Sequence, residues 1–264
     1  MKAKILDYLE WNNKIFVKSI TSMRWSIFLI IILDFIFYFL SLLLFKFWFI
    51  RIQSKYSLFD INQDVASLGY EGVSKITSDL WSFFFLFIGS LALLSLTIIF
   101  MASIIKGVVW PITTGTRLSL TFLSKFFILN LIWMGFWFLL IFLFSLIIEP
   151  LLVQKINIFV IFVSLYLSNI LYSLFVEQNK IGKILDAFKI GFTKIHFFIL
   201  PCALIFLIFY IFINISRMIV FSHSFYLNAI IALFLAAWMR YYIWGLILEI
   251  QKKKFSLRKF FSVL

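Results

Sequence analysis

Several residue types that often carry protein chemistry are scarce in this chain of 264 residues. It has one cysteine, three prolines, two histidines and eleven acidic residues. A single cysteine excludes an intramolecular disulfide framework and a cysteine-rich metal cluster. Charged residues make up only 13% of the chain, which is about half of their usual share. A soluble fold with so few charges would leave most of its surface apolar, so the composition excludes a soluble enzyme and a disordered chain.

Motifs of nucleotide-binding and hydrolytic enzymes are also absent. The sequence contains no HExxH, no Walker A segment, no GxGxxG and no GxSxG. His196 and His223 are too far apart in sequence to bind one metal ion through local spacing. We therefore predict no enzymatic activity, no cofactor and no metal site.

Apolar residues are abundant instead: 64% of the chain is hydrophobic and the mean hydropathy is +1.10. A run of about 20 apolar residues can cross the hydrocarbon core of a membrane as a helix. The predicted spans cover residues 26–45, 81–105, 126–148, 156–176, 197–216 and 225–248. The expected fold is all-α, a single integral-membrane domain over residues 1–264 with six transmembrane helices and amphipathic helices on the inner face.

The basic residues predict how these spans are oriented. The net charge is +13, and cytoplasmic loops of membrane proteins are enriched in lysine and arginine. Seventeen of the 24 basic residues precede the first span, follow the second or fourth span, or lie in the basic tail of residues 249–264. We therefore expect a multi-pass protein of the cell membrane with both termini in the cytoplasm. Because the basic residues flank apolar runs, they favour contact with anionic lipid headgroups over nucleic acid.

Segments that precede the odd-numbered spans have the pattern of helices lying on the membrane surface. In the N-terminal helix, residues 4–20, Leu9, Phe16 and Ile20 fall near one face, while lysines fall near the other. Similar patterns precede the fifth span and cover residues 118–126 before the third. The sequence thus predicts three units, each a surface helix followed by a helical hairpin.

One of these segments carries a family resemblance. Residues 183–192, with the sequence KILDAFKIGF, precede an apolar span and resemble the repeated segments of poorly characterised prokaryotic polytopic membrane families. The integral-membrane domain attached to some glycerophosphodiesterases is one example. The resemblance implies a helical membrane fold. It implies no phosphodiesterase activity, because the chain has no soluble catalytic domain.

Asp34 and Arg240 are charged residues within the first and sixth predicted spans. Each lies eight residues from the inner end of its span, or about 12 Å at 1.5 Å per residue. An ion pair between them would offset the cost of placing either charge in lipid. Two alternatives remain open: Asp34 couples transport to a proton or ion, or Arg240 extends to water among the interfacial aromatics Trp238, Tyr241 and Trp244.

Polar residues in other spans extend this candidate site. Asn130 lies near the start of the third span, and Asn169 and Tyr172 lie near the end of the fourth. The predicted intramembrane polar cluster comprises Asp34, Tyr38, Asn130, Asn169, Tyr172 and Arg240. These residues would line an inward-facing cavity or, alternatively, join helices through hydrogen bonds worth about 0.6 kcal/mol each in a membrane.

The longest predicted segment outside the spans is the outer loop of residues 46–80. Four of its oxygen-bearing residues match positions of a calcium-binding loop, but Val65 stands where the sharp turn requires glycine. The pattern favours a short helix that begins at Asp60 and ends at Gly69.

Together these patterns favour a transport-class protein or a permease subunit. Six spans with basic inner loops are similar to the membrane subunit of an ABC-type exporter. That similarity implies a separate ATPase subunit in contact with the predicted loop of residues 106–125, and a homo-oligomer also fits. The alternative is a non-transporting membrane scaffold or lipid-interacting protein whose surface helices bind anionic headgroups.

Overall fold

The computed structural model describes residues 2–23, 25–56, 69–219 and 224–252. Within these ranges the chain forms eight helices and no strand. The helices are α1 (Lys2–Thr21), α2 (Ser26–Tyr56), α3 (Gly69–Thr114), α4 (Leu120–Ile147), α5 (Pro150–Gln178), α6 (Lys183–Thr193), α7 (Ile195–Ile219) and α8 (Ser224–Gln251). The predicted all-α fold is confirmed.

Six of the described helices, all except α1 and α6, are long and apolar enough to cross a membrane. They contain the six predicted spans, because a lipid-embedded backbone must satisfy its own hydrogen bonds and a continuous helix does so. The chain is a multi-pass integral membrane protein.

The first two spanning helices are much longer than predicted. α2 has 31 residues and α3 has 46, or about 46 Å and 69 Å, against a hydrocarbon core of about 30 Å. The prediction of a loop over residues 46–80 is therefore wrong for 46–56, which continue α2, and for 69–80, which begin α3. The short helix predicted from Asp60 lies outside the described residues, but Gly69 begins α3.

The connection between α3 and α4 is shorter than predicted and comprises residues 115–119. α3 continues through Lys106, since residues 107–112 extend its packed face, and five residues separate the end of α3 from the start of α4. Ser119 caps α4 by accepting a hydrogen bond from the Phe122 amide at 3.1 Å. The predicted loop of residues 106–125 and the separate surface helix of residues 118–126 are therefore wrong.

α5 and α8 lie at the centre of the bundle. α8 contacts α1, α2, α5 and α7, while α5 contacts α4, α6 and α8. Leu167, Ile170 and Leu174 of α5 share one buried cluster with Tyr242 and Leu246 of α8. α2, α3 and α7 expose most of their apolar side chains, as helices that face lipid do.

The end of the bundle at which α1 and α6 lie is here named the α1 end. The chain enters α2, α4 and α7 at this end and leaves α3, α5 and α8 there. α6 packs closely on α5, because Ala187 and Gly191 present no bulk to it. A Cβ atom at Gly191 would collide with Leu167 Cδ2, so the two helices approach to a distance that only glycine permits without a shift.

Candidate functional site

Three charged side chains from three helices meet inside the membrane-spanning bundle. Lys106 of α3 donates a hydrogen bond to Asp34 of α2, with 2.5 Å between Nζ and Oδ1. Arg240 of α8 places Nη2 2.5 Å from Asp34 Oδ2. Asp34 lies eight residues after the start of α2, and Lys106 lies eight before the end of α3. Arg240 lies eleven residues before the end of α8. These three residues, the charge triad, thus lie about 12–16 Å from the α1 end.

The charge triad is shielded from solvent. The Asp34 side chain is completely buried, while those of Arg240 and Lys106 are 6% and 13% exposed. An ionised side chain at the membrane centre costs at least about 2.5–3.5 kcal/mol on insertion scales, and buried charges persist only when they are paired. Asp34 lies between two cations, and the burial of the Lys106 and Arg240 charges therefore depends on it.

The triad keeps one uncompensated positive charge. In the described part of the chain, no second carboxylate pairs with Lys106 or Arg240. The rings of Phe37 and Tyr38 lie 5.0 and 5.1 Å from Lys106 Nζ, where their negative faces offset part of its charge. Arg240 meets Asp34 at ion-pair distance without the alignment of a hydrogen bond, and its buried Nη1 has no hydrogen-bond partner among the described residues. The site is cationic and retains an unused donor.

Asp34 and Arg240 therefore form the ion pair that was one of the alternatives open from sequence. The alternative in which Arg240 extends to interfacial water is wrong. Trp238 and Tyr241 are 5% and 3% exposed rather than interfacial, because α1 and α2 pack against α8 at this level. Lys106 was not predicted as a site residue, because a lysine after a long apolar run usually marks a helix end. The apolar residues 107–112 that follow it are the signal that α3 continues.

A second group of polar residues connects α3, α4 and α5. The Asn130 side-chain nitrogen donates to Ser103 Oγ at 3.1 Å, and its side-chain oxygen accepts from the Tyr172 hydroxyl at 2.5 Å. All three residues, the amide network, are buried. Ser103 and Lys106 are three residues apart on α3, so they are neighbours on one side of the helix. The amide network therefore lies about one helical turn from the charge triad.

The six predicted site residues do not form one cluster. Two pair in the charge triad, Tyr38 flanks it, and two belong to the amide network. Asn169 joins neither group, since its side-chain nitrogen donates to the Leu165 carbonyl of its own helix at 2.8 Å. Hydrogen bonding between helices, one of the two interpretations of the asparagines, describes Asn130. Sequence reasoning missed Lys106 and Ser103.

α1 is held against the bundle by buried polar contacts. The Tyr242 hydroxyl donates to the Asn12 side-chain oxygen, and Trp238 Nε1 donates to Ser19 Oγ at 3.0 Å. Asn12 and Ser19 are 1% and 3% exposed, and Ile15 between them is also buried. The face of α1 that packs on α8 is thus built around two polar residues.

The apolar face predicted for α1 is divided in the structure. Phe16 packs against the Trp238 and Tyr242 rings of α8, whereas Leu9 and Ile20 point away from the protein. Leu9, Val17 and Ile20 are 44%, 50% and 43% exposed, where lipid can cover them. On the packed side, the Tyr8 hydroxyl donates to the His196 carbonyl at 3.0 Å and so ties α1 to the start of α7. Burial raises the pKa of the Tyr8 hydroxyl, against the smaller opposing effect of the hydrogen bond from Asn12, so this donor stays protonated.

Neither metal-binding groups nor comparisons with known proteins indicate a function. Among the residues that the structure describes, no three histidine, cysteine or carboxylate side chains are grouped to hold a metal ion. No protein-family model matches the sequence, and no curated protein or solved structure is significantly similar to it. The functional interpretation therefore depends on the charge triad, the amide network and the packing of α1.

Proposed function

We propose that this protein is a transport-class membrane protein or the membrane subunit of a permease. The charge triad is the observation that carries the proposal. Ionisable residues within membrane spans are costly, and they typically mark the path of a substrate or ion. The triad joins α2, α3 and α8 about 12–16 Å from the α1 end. A solute that enters the bundle from this end would therefore meet it. The proposal includes no enzymatic activity.

The charge of the triad favours an anionic solute. Two cations face one carboxylate, and buried Arg240 Nη1 has a free hydrogen-bonding position. A guanidinium group presents several donors in one plane and suits carboxylate, phosphate and smaller anions. A cationic solute would instead meet repulsion from Lys106 and Arg240.

Competition with Asp34 for Arg240 would couple the binding of an anion to a movement of the helices. An anion that binds Arg240 competes with Asp34 for the same guanidinium, and the Asp34–Arg240 contact links α2 to α8. A ligand shifts a conformational equilibrium by the difference between its affinities for the two states. An anion that is bound best when α2 and α8 separate would thus open this part of the bundle.

The proposal places the protein in the cell membrane with both termini in the cytoplasm, as the distribution of basic residues supports. A transporting form would act with a separate ATPase subunit or with a second copy of the chain. The exposed connection of residues 115–119 and Leu120, which is 86% exposed, offer contact area at the α1 end.

A non-transporting membrane scaffold or lipid-interacting protein is the second candidate. The outward apolar face of α1, formed by Leu9, Val17 and Ile20, favours it. A helix with such a face and exposed lysines nearby binds to the surface of an anionic membrane. In this case the charge triad would only hold α2, α3 and α8 together.

Anion flux from proteoliposomes distinguishes the two candidates. Protein extracted from its native membranes in mild detergent, so that partner subunits are retained, is reconstituted into vesicles loaded with chloride, nitrate, phosphate or acetate. Release is measured with and without ATP. We expect release of at least one anion by the wild type and its loss in Arg240→Gln. Lys252→Gln, which removes a surface cation 3.5 Å from Glu249, should retain it.

Two results would contradict transport through this site. The first is that no anion, even with ATP, is released faster than from protein-free vesicles. The scaffold would then be the better proposal. Equal loss of release in Arg240→Gln and Lys252→Gln would separate transport from the charge triad.

A further inference from the structure

A groove runs between α1 and α8 at the α1 end. It has a volume of about 230 Å³. Its lining is mostly apolar and includes Ile15, Leu248 and the side chains of Trp11 and Trp244, together with three hydroxyl-bearing residues, Ser19, Ser22 and Tyr241. α8 and α1 lie close together at Gly245, because a Cβ atom there would stand 3.4 Å from Ile15 Cγ2, about van der Waals contact. The groove is therefore a space between two packed helices rather than a flat surface.

The rim of the groove is positively charged. Lys14 and Lys18 of α1 are four residues apart, so they lie on one side of the helix. Both are exposed, and no carboxylate in the described ranges lies within ion-pair distance of either. Glu249 lies on the other side of the groove, where Lys252 is 3.5 Å from it. The rim thus offers two unpaired cations to a negatively charged group.

The position and lining of the groove are those expected at the level of the lipid headgroups. It reaches Glu249 of α8, two residues before the end of that membrane-spanning helix. Tryptophan is enriched at the boundary between lipid and water because its ring is apolar and its N–H is polar, and two tryptophans line this groove. The exposed Leu9 and Val17 of α1 are also placed to contact acyl chains.

We propose that this groove binds one anionic phospholipid from the leaflet at the α1 end. Lys14 and Lys18 would hold the phosphate, and the glycerol backbone and first acyl carbons would lie against Trp244 and Leu248. The combination of two cations with a mostly apolar lining fits a molecule that carries both a phosphate and a hydrocarbon part. The proposal holds whether or not the protein moves a solute.

Thermal unfolding of the delipidated, detergent-solubilised protein tests the proposal. Phosphatidylglycerol is titrated into wild type, Lys14→Gln/Lys18→Gln and Lys14→Arg/Lys18→Arg. The matched control is Lys180→Gln/Lys189→Gln, which removes two exposed lysines near α6 at the same end of the bundle. We expect phosphatidylglycerol to raise the unfolding temperature of the wild type, the arginine variant and the control. The Lys14→Gln/Lys18→Gln variant should require about tenfold more lipid for the same effect. Phosphatidylcholine should have little effect on any of them.

Three outcomes would overturn the proposal. If phosphatidylglycerol acts equally on Lys14→Gln/Lys18→Gln and on Lys180→Gln/Lys189→Gln, its effect depends only on the total charge of the protein. An equal effect of phosphatidylcholine would remove the role of the lysines, and an equal effect of inorganic phosphate would make the groove an ion site rather than a lipid site. If the Lys14→Gln/Lys18→Gln protein does not remain folded in detergent, native mass spectrometry of wild type and the arginine variant decides. Each should retain one phosphatidylglycerol molecule, and retention of none would overturn the proposal.

Discussion

The α1 end and the opposite part of the first helical hairpin differ in what holds their helices together. The distal hairpin comprises residues 38–55 of α2 and 70–93 of α3, and none of its described side chains is buried. The α1 end buries Asn12, Asp34 and Asn130 together with large aromatic residues. Polar side chains that lie inside a membrane bundle must find partners on other helices, so these residues specify which helices become neighbours.

The distal hairpin has only weak means of specifying its own pairing. Trp48 Nε1 donates to Ser90 Oγ at 3.0 Å, and the Trp48 and Phe87 rings pack at 5.6 Å. An open pocket of about 410 Å³ lies beside this contact, lined by Phe49, Ile52, Gln53, Phe83 and Phe87. Aromatic packing in such a region gains little over contact with lipid, which is equally apolar. Substitutions should therefore cost much at the α1 end and little in the distal hairpin.

The largest effect is expected for Asp34→Asn. It removes the one carboxylate between two cations, so Lys106 and Arg240 remain close together, buried and without an anion. Removing one partner of a buried ion pair typically costs about 3–5 kcal/mol. We expect a loss of this size in the free energy of unfolding, measured by denaturant titration in detergent micelles.

The same substitution in the distal hairpin provides the control. Asp79 is exposed on α3, and Asp79→Asn should change the free energy of unfolding by less than about 0.5 kcal/mol. The double variant Asp34→Asn/Arg240→Gln should be less destabilised than the sum of the single variants, since the two residues contact each other. Additive effects would show that the ion pair contributes nothing to stability.

An intermediate effect is expected for Asn130→Leu in the amide network. The substitution leaves the buried Tyr172 hydroxyl and Ser103 hydroxyl without their shared partner. An orphaned buried polar group costs about 1–3 kcal/mol, and we expect a loss in this range by the same titration. Asn157→Leu is the matched control at the opposite end of α5, where Asn157 donates to Ser145 Oγ at 3.2 Å in an exposed contact. If both substitutions lower the free energy of unfolding equally, burial does not make the hydrogen bonds of Asn130 more important than that of Asn157.

The six spanning helices could be predicted because lipid imposes a simple requirement, a long apolar run, on each of them. Their ends could not. α2 and α3 continue as helices past the charged residues Lys46, Arg51 and Lys75, so a charge that ends an apolar run does not mark the end of the helix. The same difficulty hid Lys106, which ends the predicted second span but not α3, although the apolar residues 107–112 after it indicate that the helix continues.

The partners of buried polar residues were only partly predictable. Asp34 and Arg240 lie at the same distance from the inner ends of their predicted spans. This was enough to predict their pairing, because antiparallel helices place similar depths side by side. Asn12 and Ser19 could not be assigned in this way. An amphipathic pattern distinguishes apolar from charged faces, whereas the face of α1 that packs on α8 is defined by hydrogen bonds to Tyr242 and Trp238.

The smallest effect is expected for Trp48→Phe, and the same substitution at Trp238 makes it a direct test of the two regions. Each change keeps an aromatic ring but removes one N–H donor, from Ser90 Oγ in the distal hairpin and from Ser19 Oγ at the α1 end. Hydrogen bonds between membrane helices contribute about 0.6 kcal/mol on average, and we expect no more from Trp48, whose surroundings are half open. Trp238 is 5% exposed and Ser19 is 3% exposed, and the Ser19 hydroxyl still donates to the Phe16 carbonyl at 2.7 Å. Trp238→Phe therefore removes one hydrogen bond in a site without water and should cost about 0.5–1.5 kcal/mol, more than Trp48→Phe. If unfolding titrations give the two variants equal free energies, the Trp238–Ser19 hydrogen bond does not distinguish the α1 end. The difference would then belong to the charge triad and the amide network.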